Sequence, residues 1–265
     1  MSAIRVGTDL NLTAVRIQLA GRVMVESPHS VINERLLYGS QARLLFALLV
    51  LERDRPVPRD ELAEALWPDG PPRTWGAALR GVISKVRAFV TAAGLEDAAA
   101  YDGFGAYQLH LPAEVMVDVE SARCAVETAE QMLRDGDPAA AIALANHART
   151  VAVRPFLPDA KGRWVDDIRD RLREVLLWAL CVLGEGHAQW GRPRLAVQAA
   201  EQAIVLEPFR ERTHQLLMRA HAAAGNPAEA LRVYDRCRRL LAEELGVNPA
   251  AETAALHLAL LRNEV

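Results

Sequence analysis

A chain of 265 residues has room for one large domain or two ordinary ones, and its 51% hydrophobic and 25% charged residues exclude a disordered or fibrous polymer. The formal net charge of −3 excludes a uniformly basic nucleic-acid binder, so any phosphate-binding surface has to be local. Aromatic residues make up only 5%, while Ala and Leu abound, a mixture that favours helices.

The start, Met1 to Leu10, has no basic segment followed by an apolar one, so no signal peptide is expected. The longest apolar runs, Leu44 to Leu51 and Val175 to Leu183, fall well short of the ~20 residues a membrane span takes. Cys124, Cys181 and Cys237 are widely spaced, odd in number and lack a CxxC pattern, which reads as buried thiols in a reducing cytosol. Val15 to Ala20 and Val23 to Glu26 flank Gly21-Arg22 and predict a small hairpin. From Ser40 to Arg53, Leu44, Leu48 and Leu51 recur at helical spacing. Pro58 opens a second helix running to Trp67, with Asp60 and Glu61 near its positive end. Pro68-Asp69-Gly70-Pro71-Pro72 must be a loop. A third helix follows from Thr74 to Thr91, with Leu79, Val82, Ile83, Val86 and Val90 as its apolar stripe. Two short strands around Asp102-Gly103-Phe104-Gly105 then form a hairpin ending at Leu111. Strands, three helices and a terminal hairpin follow in the order of a winged helix.

From about Val117 the strand signals stop and a motif repeats. Gly136-Asp137-Pro138, Gly191-Arg192-Pro193 and Gly225-Asn226-Pro227 each lead, three residues on, to an Ala followed by an aliphatic residue. The last two copies are 34 residues apart, the tetratricopeptide period. Gly ends one helix, Pro begins the next, and the small Ala lets paired helices approach closely. Trp164, Trp178 and Trp190 are expected between these helices.

With both halves laid out, the chain resembles the Streptomyces antibiotic regulatory proteins, the SARP family. The resemblance rests on Val57-Pro58-Arg59-Asp60-Glu61-Leu62-Ala63-Glu64-Ala65-Leu66-Trp67, on Ser84-Lys85-Val86-Arg87, on Gly105-Ala106-Tyr107-Gln108-Leu109, and on Leu240 to Pro249 with its Glu243-Glu244-Leu245-Gly246 core. It implies a mainly α fold with a small α+β part. An OmpR-like winged helix-turn-helix over residues 1–112 would precede an all-α tetratricopeptide-like bacterial transcriptional activation domain over 117–265. It further implies a transcriptional activator whose partners are double-stranded DNA and RNA polymerase, with protomers side by side on direct repeats and no cofactor. The family usually offers Asn, Gln and His on its recognition helix and Arg on its wing. Here Ala77, Arg80 and Val82 take the helix places, Gly81 interrupts the helix, and Tyr101 to Leu111 holds no cation.

Arg73, Arg80, Lys85 and Arg87 form a local cationic face, since no acidic residue lies between Arg73 and Leu95. Together with Thr74 and Ser84 they are the candidate DNA-binding residues, Arg80 as the candidate base reader. Asp69, Gly70, Pro71 and Pro72 form the loop that the resemblance assigns to polymerase, with a plain connector as the alternative. Arg232, Arg236, Arg238 and Arg239 read as a solvated face turned toward Glu243 and Glu244. His147, His187, His214, His221 and His257 lack the spacing of a metal site, and no nucleophile elbow, Walker loop or dinucleotide fingerprint points to an enzyme. Three readings stand at this stage: a DNA-binding activator, an interaction module whose winged helix has lost DNA, and a repeat domain that senses a ligand.

Overall fold

The computed structural model describes residues 15–28, 30–95, 98–102 and 105–262. The chain forms two compact units. The first holds the residues through Ser121 together with Arg154–Arg171, and the second holds Ala122–Val153 and the chain from Leu172 onward. A single cut between 112 and 117 therefore differs from the observed division, because one later segment joins the first unit.

In the first unit, β1 (Arg16–Gln18) and β2 (Met24–Glu26) form the expected antiparallel hairpin, with Ile17 opposite Val25. Two further strands were not legible. β3 (Val31–Asn33) pairs with β2, and β7 (Met116–Val117) lies parallel to β1, giving the order β3-β2-β1-β7. A two-residue strand has no periodicity to read, so the expectation of no strand after about 117 misses this pairing at its edge. The turn after β7 is fixed by Asp118, whose carboxylate accepts the N–H groups of Leu19 (2.8 Å), Ala20 (3.1 Å) and Val119 (2.9 Å).

Three helices follow in the expected order: α1 (Ser40–Leu51), α2 (Arg59–Leu66) and α3 (Trp75–Ala92), with β4 (Val57–Pro58) just before α2. Phe46 of α1 meets Phe89 of α3 edge to face, with centroids 5.0 Å apart, at the centre of this core. β5 (Ala99–Asp102) and β6 (Ala106–Leu109) pair antiparallel, and β6 also pairs with β4. The apex, Gly103 and Phe104, lies outside the described residues, as does the chain start from Met1 to Leu10. Helices, small sheets and terminal hairpin make a winged helix.

The segment Arg154–Arg171 is stitched onto this unit. The Gly21 N–H donates to the Pro155 carbonyl at 2.9 Å, Arg43 pairs with Asp159 at 2.9 Å, and the Trp164 indole N–H reaches Glu52 at 3.4 Å. Arg169 donates to the carbonyls of Phe156, Leu157 and Ala160, holding a turn in which Leu157 has φ 41°.

The helices contributing to the second unit are α4 (Asp118–Arg134), α5 (Pro138–Ala152), α6 (Arg163–Gln189), α7 (Pro193–Leu206), α8 (Glu211–Ala223), α9 (Pro227–Leu245) and α10 (Ala251–Leu261), of which α4 and α6 begin in the first. The repeated motif makes the same turn three times. Gly136, Gly191 and Gly225 take φ of 80°, 68° and 75°, and the next N–H donates five residues back, to Met132, His187 and His221. Pro138, Pro193 and Pro227 then occupy the first turn of α5, α7 and α9, where a missing N–H costs nothing. The motif alanines Ala141, Ala196 and Ala230 are fully buried.

Leu245-Gly246-Val247 ends α9 on a left-handed glycine as well, but here the Gly246 and Val247 N–H groups both donate to Leu241, five and six residues back. The chain then turns so that Glu211 of α8 accepts the Ala250 N–H and the Thr253 hydroxyl, and Gln215 donates to Thr253. Two of the tryptophans expected between the repeat helices lie elsewhere: Trp164 belongs to the first unit, and Trp190 is on the surface. Trp190 is 43% exposed, with the Arg192 guanidinium 3.8 Å above its ring.

Candidate nucleic-acid interface

Helix α3 divides cleanly. Leu79, Val82, Ile83, Val86, Phe89 and Val90 are buried, whereas Ala77, Ala78, Arg80, Gly81, Ser84, Lys85, Arg87, Ala88 and Thr91 are exposed. At 3.6 residues per turn, Arg80 and Arg87 lie within roughly 20° of each other on one edge of that exposed face. Lys85 lies about 140° away from Arg80, on the opposite edge, and not beside the two arginines as the linear sequence implies. Its ammonium donates to the Tyr38 carbonyl at 3.4 Å. Between the edges lie Ala77, Gly81, Ser84 and Ala88, all small. Val82, which stands where the family carries a polar reader, points into the core.

Among the described residues, no carboxylate pairs with Arg73, Arg80, Lys85 or Arg87, although Arg43, Arg53 and Arg55 in the same unit are all paired. Thr74 sits at the N-cap of α3 without a side-chain capping bond, and Arg73 is exposed just before it. The structure thus brings Arg80, Ser84 and Arg87 onto one surface, places Arg73 and Thr74 at its start, and sets Lys85 on its far side.

The loop Asp69 to Pro72 is exposed throughout. It is shaped by Gly70 at φ 107°, whose N–H donates to the Trp67 carbonyl at 2.9 Å. The wing has no cation to offer: Tyr107 and Leu109 are buried, and Gln108 donates to the Arg53 carbonyl at 2.8 Å.

One residue of this surface escapes sequence reasoning. Arg59, the first residue of α2, holds its guanidinium 5.4 Å from the Trp75 ring at the start of α3, and its N–H donates to Gly105 at the base of the wing. The signal for it was the Pro58-Arg59 pair, but nothing in the chain order shows that α2 begins against α3.

In the second unit the cationic cluster of α9 turns to partners other than Glu243 and Glu244. Arg232 pairs with Glu229, and Arg238 and Arg239 pair with Asp235, at three- and four-residue spacing toward the start of the helix. Cys124 is exposed on α4, against the expectation of three buried thiols, whereas burial pushes the Cys181 and Cys237 thiols up to about 11, which leaves them un-ionised at neutral pH. No group of three or more His, Cys, Asp or Glu able to hold a metal occurs among the described residues, and no described helix is long and apolar enough to cross a membrane.

Comparison with known proteins agrees with this architecture. Residues 117–261 match the bacterial transcriptional activator domain. The regulatory protein AfsR of Streptomyces coelicolor is 34% identical over 218 residues, covering 82% of this chain but 22% of AfsR. The transcriptional regulatory protein EmbR of Mycobacterium tuberculosis is 27% identical over 235 residues, covering 84% of this chain and 58% of EmbR. The transcriptional regulator RedD of S. coelicolor is 26% identical over 254 residues, covering 94% and 71%. The chain thus spans under a quarter of AfsR and just over half of EmbR. The solved structure of M. tuberculosis EmbR in complex with a low affinity phosphopeptide superposes with a TM-score of 0.82 at 23% identity, over 94% of this chain and 65% of that one, and so shares its fold. A repeat half that matches the activator domain, behind a winged helix shared with these regulators, places the chain in the SARP family, to which it belongs.

Proposed function

We propose that this protein is a cytoplasmic, non-enzymatic transcriptional activator. In this reading residues 1–112 bind double-stranded DNA and residues 117–265 recruit RNA polymerase to a target promoter. Helix α3 enters the major groove, with Arg80 reading a base and Arg73, Thr74, Ser84, Lys85 and Arg87 contacting the backbone. The loop Asp69, Gly70, Pro71 and Pro72 meets the polymerase, and protomers sit side by side on direct repeats. The observation that carries this reading is the unpaired cationic face of α3 on a chain whose net charge is −3. Cations without carboxylate partners release the counterions condensed on DNA, and that release drives binding.

The test is binding of the purified chain to the DNA upstream of its own gene, followed by anisotropy across a salt series. Each phosphate contact adds about −0.9 to the slope of log affinity against log salt. The triple variant Arg80→Ala/Lys85→Ala/Arg87→Ala should flatten that slope, and Arg80→Ala alone should cost about 1–3 kcal/mol on the specific site and little elsewhere. Unchanged affinity and slope in the triple variant would remove DNA from α3 and give the lead to an interaction module.

A further inference from the structure

We infer that Arg59, outside the third helix, is both a phosphate-contacting residue and the positioning residue for the start of α3; this rests on the DNA-binding reading above. Three elements converge on it. Its backbone N–H donates to the Gly105 carbonyl at 3.2 Å, which ties α2 to the wing. Its guanidinium carbon lies 5.4 Å from the Trp75 ring centroid, within the range of cation–π attraction. A Cβ built on Gly76 would lie 3.1 Å from its terminal nitrogen, so the guanidinium packs closely against the bare backbone there.

The guanidinium is also uncompensated. Its Nε is buried without a hydrogen-bond partner, and no carboxylate pairs with it among the described residues. A half-buried cation with unfilled donors is costly to keep unless something supplies the missing acceptor. The neighbouring Arg55 shows the alternative, pairing with both Glu52 and Glu61.

Position identifies the acceptor. Gly76, against which Arg59 rests, falls within roughly 40° of Arg80 and Arg87 around the α3 axis. Through its contact with Gly76, Arg59 stands at the start of the edge that carries Arg80 and Arg87, with Trp75 about 100° further round, and with about 6 Å of helix rise from Gly76 to Arg80 and about 10 Å from Arg80 to Arg87. Lys85 holds the other edge, and the small residues Ala77, Gly81, Ser84 and Ala88 lie between. A cation row on one side of a slim helical face fits the phosphate chain that walls one side of a groove. Arg59 stands at the head of that row, and its stack on Trp75 fixes where the helix begins. The cation that the wing lacks is, in this arrangement, supplied from α2 beneath it.

The experiment uses the full chain with Arg59→Ala, Arg59→Gln and Arg59→Lys, a mixed-sequence duplex as probe, and hydrogen exchange of the free protein. Phosphate contact is independent of sequence, so no operator is needed. Arg59→Ala and Arg59→Gln should each reduce the salt slope by about 0.9. Arg59→Lys should keep the slope, because the charge remains. In the absence of DNA, all three variants should speed exchange of the amides over 75–79, since lysine cannot stack as the planar guanidinium does. An unaltered slope in Arg59→Gln with wild-type folding would overturn the phosphate contact, and unaltered exchange would overturn the positioning role. If the wild type binds no duplex at any salt, the DNA reading fails and takes the phosphate contact with it. The exchange measurement, made without DNA, still decides the positioning role.

Discussion

Gly81→Ala separates the stability of α3 from its use, because the two should move in opposite directions. Helix α3 runs unbroken through this position, Gly81 is exposed, and a Cβ built on it meets no heavy atom within 4 Å. Glycine inside a helix costs about 0.8–1.0 kcal/mol relative to alanine through backbone entropy, and here no clash opposes the gain. The variant should therefore be more stable by close to 1 kcal/mol. For a urea m-value of about 1–3 kcal/mol/M, that raises the midpoint of the transition containing α3 by roughly 0.3–1 M. The same methyl stands between the Arg80 and Lys85 edges, about 100° from the first and about 40° from the second, on the face proposed to meet the groove floor. It should weaken binding on the specific site while leaving the salt slope alone, since no phosphate contact is removed. Urea unfolding followed by helical circular dichroism, paired with anisotropy on the upstream DNA, reads both effects. A loss of stability would refute the open, helical placement of Gly81. A gain in stability with unchanged affinity would take the central face of α3 out of the interface.

Two further predictions concern the repeat half. A Cβ at Gly184 would lie 2.7 Å from the Leu216 Cδ2, so Gly184→Ala should destabilise by about 1–3 kcal/mol in the wild type yet stabilise in a Leu216→Ala background. A double-mutant cycle by chemical denaturation reads that reversal of sign, and additive effects would show that α6 and α8 do not touch there. His214 is 4% exposed, and burial depresses its pKa; one ring nitrogen hydrogen-bonds the Pro208 carbonyl and the other is buried without a partner. Because the folded-state pKa lies below the unfolded value of about 6.5, its contribution is present above that pH and is lost as pH falls toward the folded value. His214→Gln should accordingly show a smaller loss of melting temperature between pH 8 and pH 5.5 than the wild type, and parallel losses would place the acid sensitivity elsewhere.

What could be read in the sequence follows from how local its causes are. The helices of the winged helix were legible because each carries its own apolar stripe, and the repeat turns because Gly and Pro make the same backbone demand three times. The rest was set by partners far along the chain. Asp118 is an ordinary helix-start aspartate until the N–H groups of Leu19 and Ala20, about a hundred residues earlier, turn toward it. Burial raises its pKa, while those N–H groups and the nearby charge of Arg154 hold it down. The segment Arg154–Arg171 carries helical residues like those around it, and only its bonds to Gly21, Arg43 and Glu52 assign it to the first unit.

The candidate interface divides along the same line. Arg80, Ser84 and Arg87 share a face because a helix repeats every 3.6 residues, which spacing alone reveals. The same geometry sends Lys85, adjacent in sequence to Ser84, around to the other edge, so counting cations in a linear window overstates how many can act together. Arg59 is the converse case, distant in sequence and adjacent in space. Its significance lies in what is missing around it: among the described residues no carboxylate pairs with it, whereas Arg55, nearby in sequence, pairs with both Glu52 and Glu61. A guanidinium that no carboxylate takes is free for an external anion, and that freedom is visible only once the start of α3 has folded against Arg59.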